Sequence, residues 1–254
     1  MATAFVNGVN IYYEEYGSGP AMVLTSGFTG TTKAWSPQIP ALSQNHRLIL
    51  HDLRGHGQSD APADRALYSW DTTIEDLYQL LNHLGVEKAI VGGLSLGGLV
   101  SLNFYLRHPE MTAALILAST GPGFRSAESR AQWDEGRLKL SEALESGGME
   151  AYMKITAFSS DPEALASQDP IGLSNVNIAL QTNQEMVALE KVKVPTLVIV
   201  GQLDTNTIPP TNYMHRKIKG SRMAVIPKAN HVANVDQPED FNRVVLEFLK
   251  DFSL

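Results

Sequence analysis

The chain has 254 residues, 43% hydrophobic and 19% charged, proportions of an ordinary globular protein that argue against a disordered, fibrous or membrane-embedded chain. A formal net charge of −7 disfavours nucleic-acid and anionic-membrane partners, which need clustered Lys and Arg, and leans toward neutral small-molecule substrates. With no cysteine there is no disulfide, thiolate nucleophile or cysteine metal site, so chemistry must come from oxygen and nitrogen groups.

The first residues, Met1-Ala2-Thr3-Ala4-Phe5-Val6-Asn7-Gly8, lack the basic start and apolar run of a signal peptide, and no apolar stretch is long enough to cross a bilayer. The expectation is a soluble, cytoplasmic protein; nothing in the sequence excludes a homo-oligomer. Phe5-Val6 and Ile11-Tyr12-Tyr13 flank Asn7-Gly8, a dipeptide suited to a tight hairpin turn, so the chain opens with antiparallel strands. Ala21 to Thr25 and Arg47 to Leu50 read as short buried strands around a helical segment near Ala41-Leu42. Ile74, Leu77, Leu80, Leu81 and Leu84 keep helical spacing from Thr72 to Leu84, and Gly85 terminates it.

Ala89 to Gly93 then forms a buried strand running into Ser95, followed by a helix from Gly98 to Arg107 and a strand from Ala113 to Ala118. This rhythm implies parallel pairing through right-handed crossovers. From about Gly121 to Lys191 the pattern is helical, as in Ala131 to Leu144 and Met149 to Phe158, with no convincing strand. Alternation returns with Thr196 to Val200 and Met223 to Ile226 and closes with a helix from Pro238 to Phe252, which Asp236 is placed to cap. A core of residues 1–121 and 191–254 interrupted by a helical insertion at 122–190 accounts for this order.

Gly93-Leu94-Ser95-Leu96-Gly97 matches G-x-S-x-G between a buried strand and a helix, the setting in which a sharp turn exposes a serine at the carboxyl end of a strand. The Leu96 N–H, at the helix start, is placed to donate to an oxyanion. A serine hydroxyl needs a histidine base and a carboxylate behind it. Asp204 follows the strand ending at Val200, on the same sheet edge. The alternative position after Ala118 offers only Ser119, Thr120 and Gly121. Of seven histidines, only His231 lies both after this acid and at a strand end. In Ser26-Gly27-Phe28-Thr29-Gly30, Phe28 N–H is the expected second oxyanion donor.

The ordered segments Gly27-Phe28, Asp52-Leu53-Arg54-Gly55-His56-Gly57-Gln58-Ser59, Gly93 to Gly97, Gly201 to Asp204 and Asn230-His231 resemble the α/β-hydrolase superfamily over nearly the full length. The resemblance implies an α/β fold with a mostly parallel eight-stranded sheet flanked by helices. It makes the Asp52–Ser59 stretch a structural turn, so that His56 is not catalytic. Within the superfamily the chain is similar to compact esterases, enol-lactone hydrolases and cofactor-free haloperoxidase-like perhydrolases, and departs from the frequent His before Gly in the oxyanion loop by having Ser26. The insertion becomes a cap, with Trp35, Trp133, Met153, Phe158 and the segment Ile171 to Met186 expected at the substrate pocket.

The implied activity is hydrolysis of a small, neutral or largely apolar ester or lactone by Ser95, His231 and Asp204 through an acyl-enzyme. Carbon–carbon bond hydrolysis of ring-cleavage products and perhydrolysis share the same triad. A ligand receptor on this fold need not keep the triad, which here is intact. No cofactor or metal is expected: His-Glu-x-x-His and a G-x-G-x-x-G between strand and helix are both absent.

Overall fold

In the computed structural model, residues 2–156 and 165–251 are described. Eight strands form one sheet in the order β1-β2-β4-β3-β5-β6-β7-β8. β1 (Ala2–Val6) and β2 (Val9–Tyr16) make the opening hairpin. Asn7 and Gly8 turn it with φ of 47° and 79°, the left-handed pair that a two-residue turn requires. β2 pairs antiparallel with β4 (Arg47–His51). β3 (Ala21–Thr25), β5 (Ala89–Leu94), β6 (Thr112–Ala118), β7 (Thr196–Gly201) and β8 (Arg222–Ile226) complete a parallel run with β4. Their carboxyl ends therefore share one edge.

The helices are α1 (Ile39–Leu42), α2 (Trp70–His83), α3 (Leu96–Arg107), α4 (Ala127–Ile155), α5 (Pro170–Gln181), α6 (Ile208–Lys217), α7 (Ala233–Asp236) and α8 (Pro238–Leu249). Side chains alternate across each central strand, so Val23, Ile49 and Val91 face one apolar core with α2 and α3, and Met22, Leu48 and Ile90 face a second with α8. α2 starts two residues earlier than the expected Thr72, because the Ser69 hydroxyl accepts the Thr72 N–H and caps it. α4 is broken at Gly148, whose φ of 62° leaves the helical region; the change of pattern near Met149 marks that break.

Two differences concern the end of the chain. α7 has no periodicity to betray it, being a single turn. Asp236 does not cap α8: Gln237 holds that position with no side-chain bond, and the Asp236 carboxylate instead accepts the Asn230 N–H at 2.7 Å. Among the described residues no helix is long and apolar enough to cross a membrane.

The stretch Asp52 to Ser59 is a structural turn. Asp52 accepts N–H bonds from Thr32 and Gln58, and Ser59 donates to the Asp52 carbonyl. Arg54 forms a buried pair with Asp76 at 2.7 Å and also donates to the Asn7 and Leu67 carbonyls. His56 is buried, beside Phe28, with its pKa pushed down to about 4 by desolvation.

Candidate active site

Ser95 stands between β5 and α3 with φ 54° and ψ −115°, a conformation that costs a non-glycine residue roughly 1–3 kcal/mol and persists only where its surroundings impose it. The Ser95 N–H donates to the Ala118 carbonyl at 2.9 Å, while its own carbonyl accepts from Gly98 N–H, Leu99 N–H and the Thr120 hydroxyl. Such a tight turn brings Gly97 against β3: a Cβ there would lie 2.1 Å from the Thr25 carbonyl oxygen and 2.7 Å from that of Ser26. The half-buried Ser95 side chain is thus presented beside Gly27, at the mouth of the loop from Ser26 to Gly30 that is expected to hold an oxyanion.

In that loop, the Ser26 hydroxyl donates to the Thr31 carbonyl at 2.7 Å and the Gly30 N–H to the Gly27 carbonyl at 2.9 Å. Ser26 thereby closes the loop itself, where the family often has histidine. Thr29 sits at φ 65°. Neither the Phe28 N–H nor the Leu96 N–H makes a hydrogen bond among the described residues, so both donors are free for a ligand oxygen.

Asp204 and His231 are brought together. His231 Nδ1 lies 2.8 Å from Asp204 Oδ2. The loops that carry them are laced by Gln202 N–H to Ile226 O at 2.9 Å and Leu203 N–H to Ala229 O at 2.8 Å. Gly201 permits this approach, since a Cβ there would meet the Asn230 carbonyl oxygen at 2.1 Å. Asp236 tethers the far side through Asn230. Burial of Asp204 opposes its ionisation, but the His231 bond, followed by the Thr207 hydroxyl, outweighs it and holds the carboxyl below its ordinary range. His231 itself is 42% exposed at the side chain.

With Nδ1 engaged, Nε2 is the nitrogen left to exchange a proton. No hydrogen bond joins Ser95 and His231 among the described residues; catalytic contacts of this kind commonly tighten when substrate binds.

The pocket expectations divide. Trp35 is buried to 1% and packs on Phe241, 6.1 Å between ring centroids, in the core that faces α8. It is a core residue and not a pocket wall, because the turn after the oxyanion loop folds its indole under the sheet. Trp133 donates its indole N–H to the Gln181 carbonyl at 2.6 Å, joining α4 to the end of α5. Met153 packs in the small cluster of Leu144, Met149, Tyr152, Leu165 and Leu173 that also receives Phe28. Phe158 lies outside the described residues. Within Ile171 to Met186, Val176 and Leu180 are buried in the central core, and Asn175 donates to the Pro62 and Ala63 carbonyls, so much of this segment anchors the helices to the sheet.

Two residues of the helical segment that its apolar pattern does not mark stand at the oxyanion loop. Buried Gln168 donates to the Thr29 carbonyl at 2.6 Å and accepts the Gly57 N–H at 3.2 Å. Arg137 lies with its guanidinium 4.1 Å from the Trp133 ring centroid and 5.9 Å from that of Phe28. Thr207 and Asp236, which hold the acid and the histidine loop, likewise carry no motif. Thr207 and Asp236 had proximity in sequence to Asp204 and His231 as an advance signal, and Gln168 and Arg137 had none.

Residues 20–146 match the family model of the α/β-hydrolase fold, and the chain belongs to that family. It is 31% identical over 248 residues to a Bacillus subtilis (strain 168) protein that bears the provisional name 2-succinyl-6-hydroxy-2,4-cyclohexadiene-1-carboxylate synthase, with 90% of each chain covered. It is 27% identical over 249 residues to 3-oxoadipate enol-lactonase 1 of Acinetobacter baylyi, covering 92% of this chain and 90% of that one. Among solved structures, the enol-lactonase from Burkholderia xenovorans LB400 superposes with a TM-score of 0.86 at 25% identity, covering 98% of this chain and 100% of that one. A malate-bound thermophilic esterase from Thermogutta terrifontis gives 0.84 at 27% identity, with 98% of each chain covered.

Proposed function

We propose that this α/β hydrolase cleaves small carboxylic esters or lactones through an acyl-enzyme on Ser95. The observation that carries the reading is the Asp204–His231 pair, hydrogen-bonded at 2.8 Å on the sheet edge where Ser95 is held in its strained turn. Names of relatives that include an enol-lactonase and an esterase support it. Residues 122–190 act as the cap over this edge.

Ser95 Oγ attacks the substrate carbonyl carbon as its proton passes to His231 Nε2. The carbonyl π electrons move to oxygen, and the resulting oxyanion accepts from the Phe28 and Leu96 N–H groups, which are fixed before the reaction starts. Collapse of the tetrahedral intermediate breaks the bond to the leaving alkoxide, which takes the proton from His231. Water, deprotonated by the same histidine, then attacks the acyl-enzyme and releases the acid. Asp204 keeps the Nδ1–H tautomer and stabilises the imidazolium at each stage.

A panel of p-nitrophenyl acyl esters and small lactones, assayed with wild type and with Ser95→Ala, tests the reading. Turnover by wild type that disappears in Ser95→Ala is expected. No turnover of any ester or lactone, or full activity in Ser95→Ala, overturns it. His231→Ala should lose most of kcat with an unchanged circular-dichroism spectrum.

A further inference from the structure

We infer that Arg137 is a carboxylate receptor and that the preferred substrate is an ester or lactone bearing a free carboxylate on its acyl portion; this rests on the ester-hydrolase reading above. The argument starts from a contrast between two arginines withdrawn from water. Arg54 spends its guanidinium fully, on Asp76 and on two backbone carbonyls. Arg137 makes no ion pair and donates no side-chain hydrogen bond among the described residues. Its backbone carbonyl is used, by Asn177 at 2.7 Å, which fixes the position of this turn of α4.

A crowded guanidinium without an anion is unfavourable, because desolvation of the charge goes uncompensated. Burial pushes the Arg137 pKa down to about 10, still far above neutrality, so among the described residues it is a cation without a counter-ion, in a protein whose net charge is −7. Packing accounts for its flat face alone: the plane rests on Trp133 at 4.1 Å and reaches toward Phe28 at 5.9 Å. The five N–H donors of the guanidinium fork lie in that plane and point outward from its rim, the geometry that accepts a carboxylate side-on.

Location makes the missing anion a substrate group. Phe28 supplies one of the two free N–H groups of the oxyanion site, and its ring also meets Tyr152 edge-on at 6.3 Å. Tyr152 is a buried phenol whose pKa is raised by desolvation, so at neutral pH it carries no charge to pair with Arg137 while it packs against Phe28. The cation therefore stands over the loop that will hold the reacting carbonyl. A molecule with its ester carbonyl between Phe28 and Leu96 and a carboxylate a few carbons along the acyl chain would satisfy both.

Methyl hydrogen glutarate and methyl pentanoate share the same methyl ester and methylene chain and differ by a carboxylate in place of the terminal methyl group. Initial rates in a pH-stat at pH 7.5 give the ratio of kcat/KM for the charged over the neutral ester. Wild type should prefer the charged ester. The ratio should fall by about 10- to 100-fold in Arg137→Gln, the range expected for a charged hydrogen-bonded contact, with partial recovery in Arg137→Lys. A wild-type preference for methyl pentanoate, or a ratio within threefold of wild type in Arg137→Gln, overturns the inference even if Ser95-dependent hydrolysis is confirmed. If neither methyl ester is hydrolysed, the ester and lactone panel above judges the ester-hydrolase reading separately. Calorimetric titration of glutarate into wild type and Arg137→Gln then decides: binding that is lost in the variant upholds the receptor, and no binding to wild type refutes it.

Discussion

Acidification should unfold this protein through groups at the end of β4 and in the turn that follows it. His51 and His56 are fully buried, and desolvation lowers each from 6.5 to about 4. A depressed folded-state pKa means that their contribution is fully present above about pH 6.5 and is lost as pH falls through the folded value, at one proton each, or about 1.4 kcal/mol per pH unit. Asp52 acts in the opposite sense: burial, partly offset by the Gln58 and Thr32 N–H bonds, raises it from 3.8 to about 6. Its folding penalty at neutral pH is relieved between about pH 6 and 4. Two protons against one leave a net slope of about 1.4 kcal/mol per pH unit across those two units, or roughly 3 kcal/mol in all. His46, also lowered, adds to the slope, and Asp76, also raised, subtracts from it. Urea unfolding followed by tryptophan fluorescence at pH 7, 6, 5 and 4 measures the slope. Stability that is flat or rises between pH 6 and 4 would refute the assignment of both histidines as buried and neutral.

Asp204→Asn should leave the fold intact by circular dichroism while lowering kcat by about 10³- to 10⁴-fold, because an amide cannot hold the Nδ1–H tautomer or stabilise the imidazolium; a loss under tenfold would place the orienting acid elsewhere. Gly97→Ala drives a methyl group into the Thr25 and Ser26 carbonyls and should cost about 1–3 kcal/mol of stability. It should also reduce kcat by about 10²-fold or more as the Phe28 donor moves with that loop, and wild-type kcat in a destabilised variant would separate the elbow from the oxyanion site. Gln168→Leu strands the Thr29 carbonyl and the Gly57 N–H. The expected result is a loss of about 1–3 kcal/mol per group and a fall in kcat larger than any rise in KM, measured by thermal melting and ester kinetics; an unchanged melting temperature would show the bridge to be dispensable.

Most of the sheet was legible because its central strands are buried on both faces and must read as apolar runs: Ala89 to Leu94, Thr112 to Ala118 and Thr196 to Gly201 are each almost wholly enclosed. The turn residues were equally readable, since Asn7-Gly8 and Gly93 to Gly97 occupy positions where backbone sterics leave few alternatives. Chain order brought Asp204 and His231 to the same edge. The misplacements have a common origin. Trp35 looks like a pocket aromatic because hydrophobicity cannot tell which side of a sheet a turn enters, and Asp236 looks like a helix cap because the competing N–H donor of Asn230 is invisible until the loops meet.

The helical segment was harder to read for a different reason: its position is set by polar contacts at the ends of side chains, which have no period. Gln168 reaches the oxyanion loop, Asn175 reaches the Pro62 and Ala63 carbonyls, and Asn177 holds the Arg137 carbonyl together with the Ser141 hydroxyl. Amide side chains of this kind are expected on exposed helix surfaces, yet Gln168, Asn175 and Asn177 are all buried. A buried amide is tolerable only when it is bonded, so each one specifies a docking geometry that an apolar residue would leave loose. The consequence falls on the oxyanion loop. The loop is touched from the sheet side by the Ser95 turn, at Gly27, and by His56, at Phe28, and from the helical side by Tyr152 and Arg137 at Phe28 and by Gln168 at Thr29. The Phe28 N–H, the proposed oxyanion donor, is therefore held between the sheet edge that carries Ser95 and the helical segment proposed as the cap, and a change in either should be felt at that N–H.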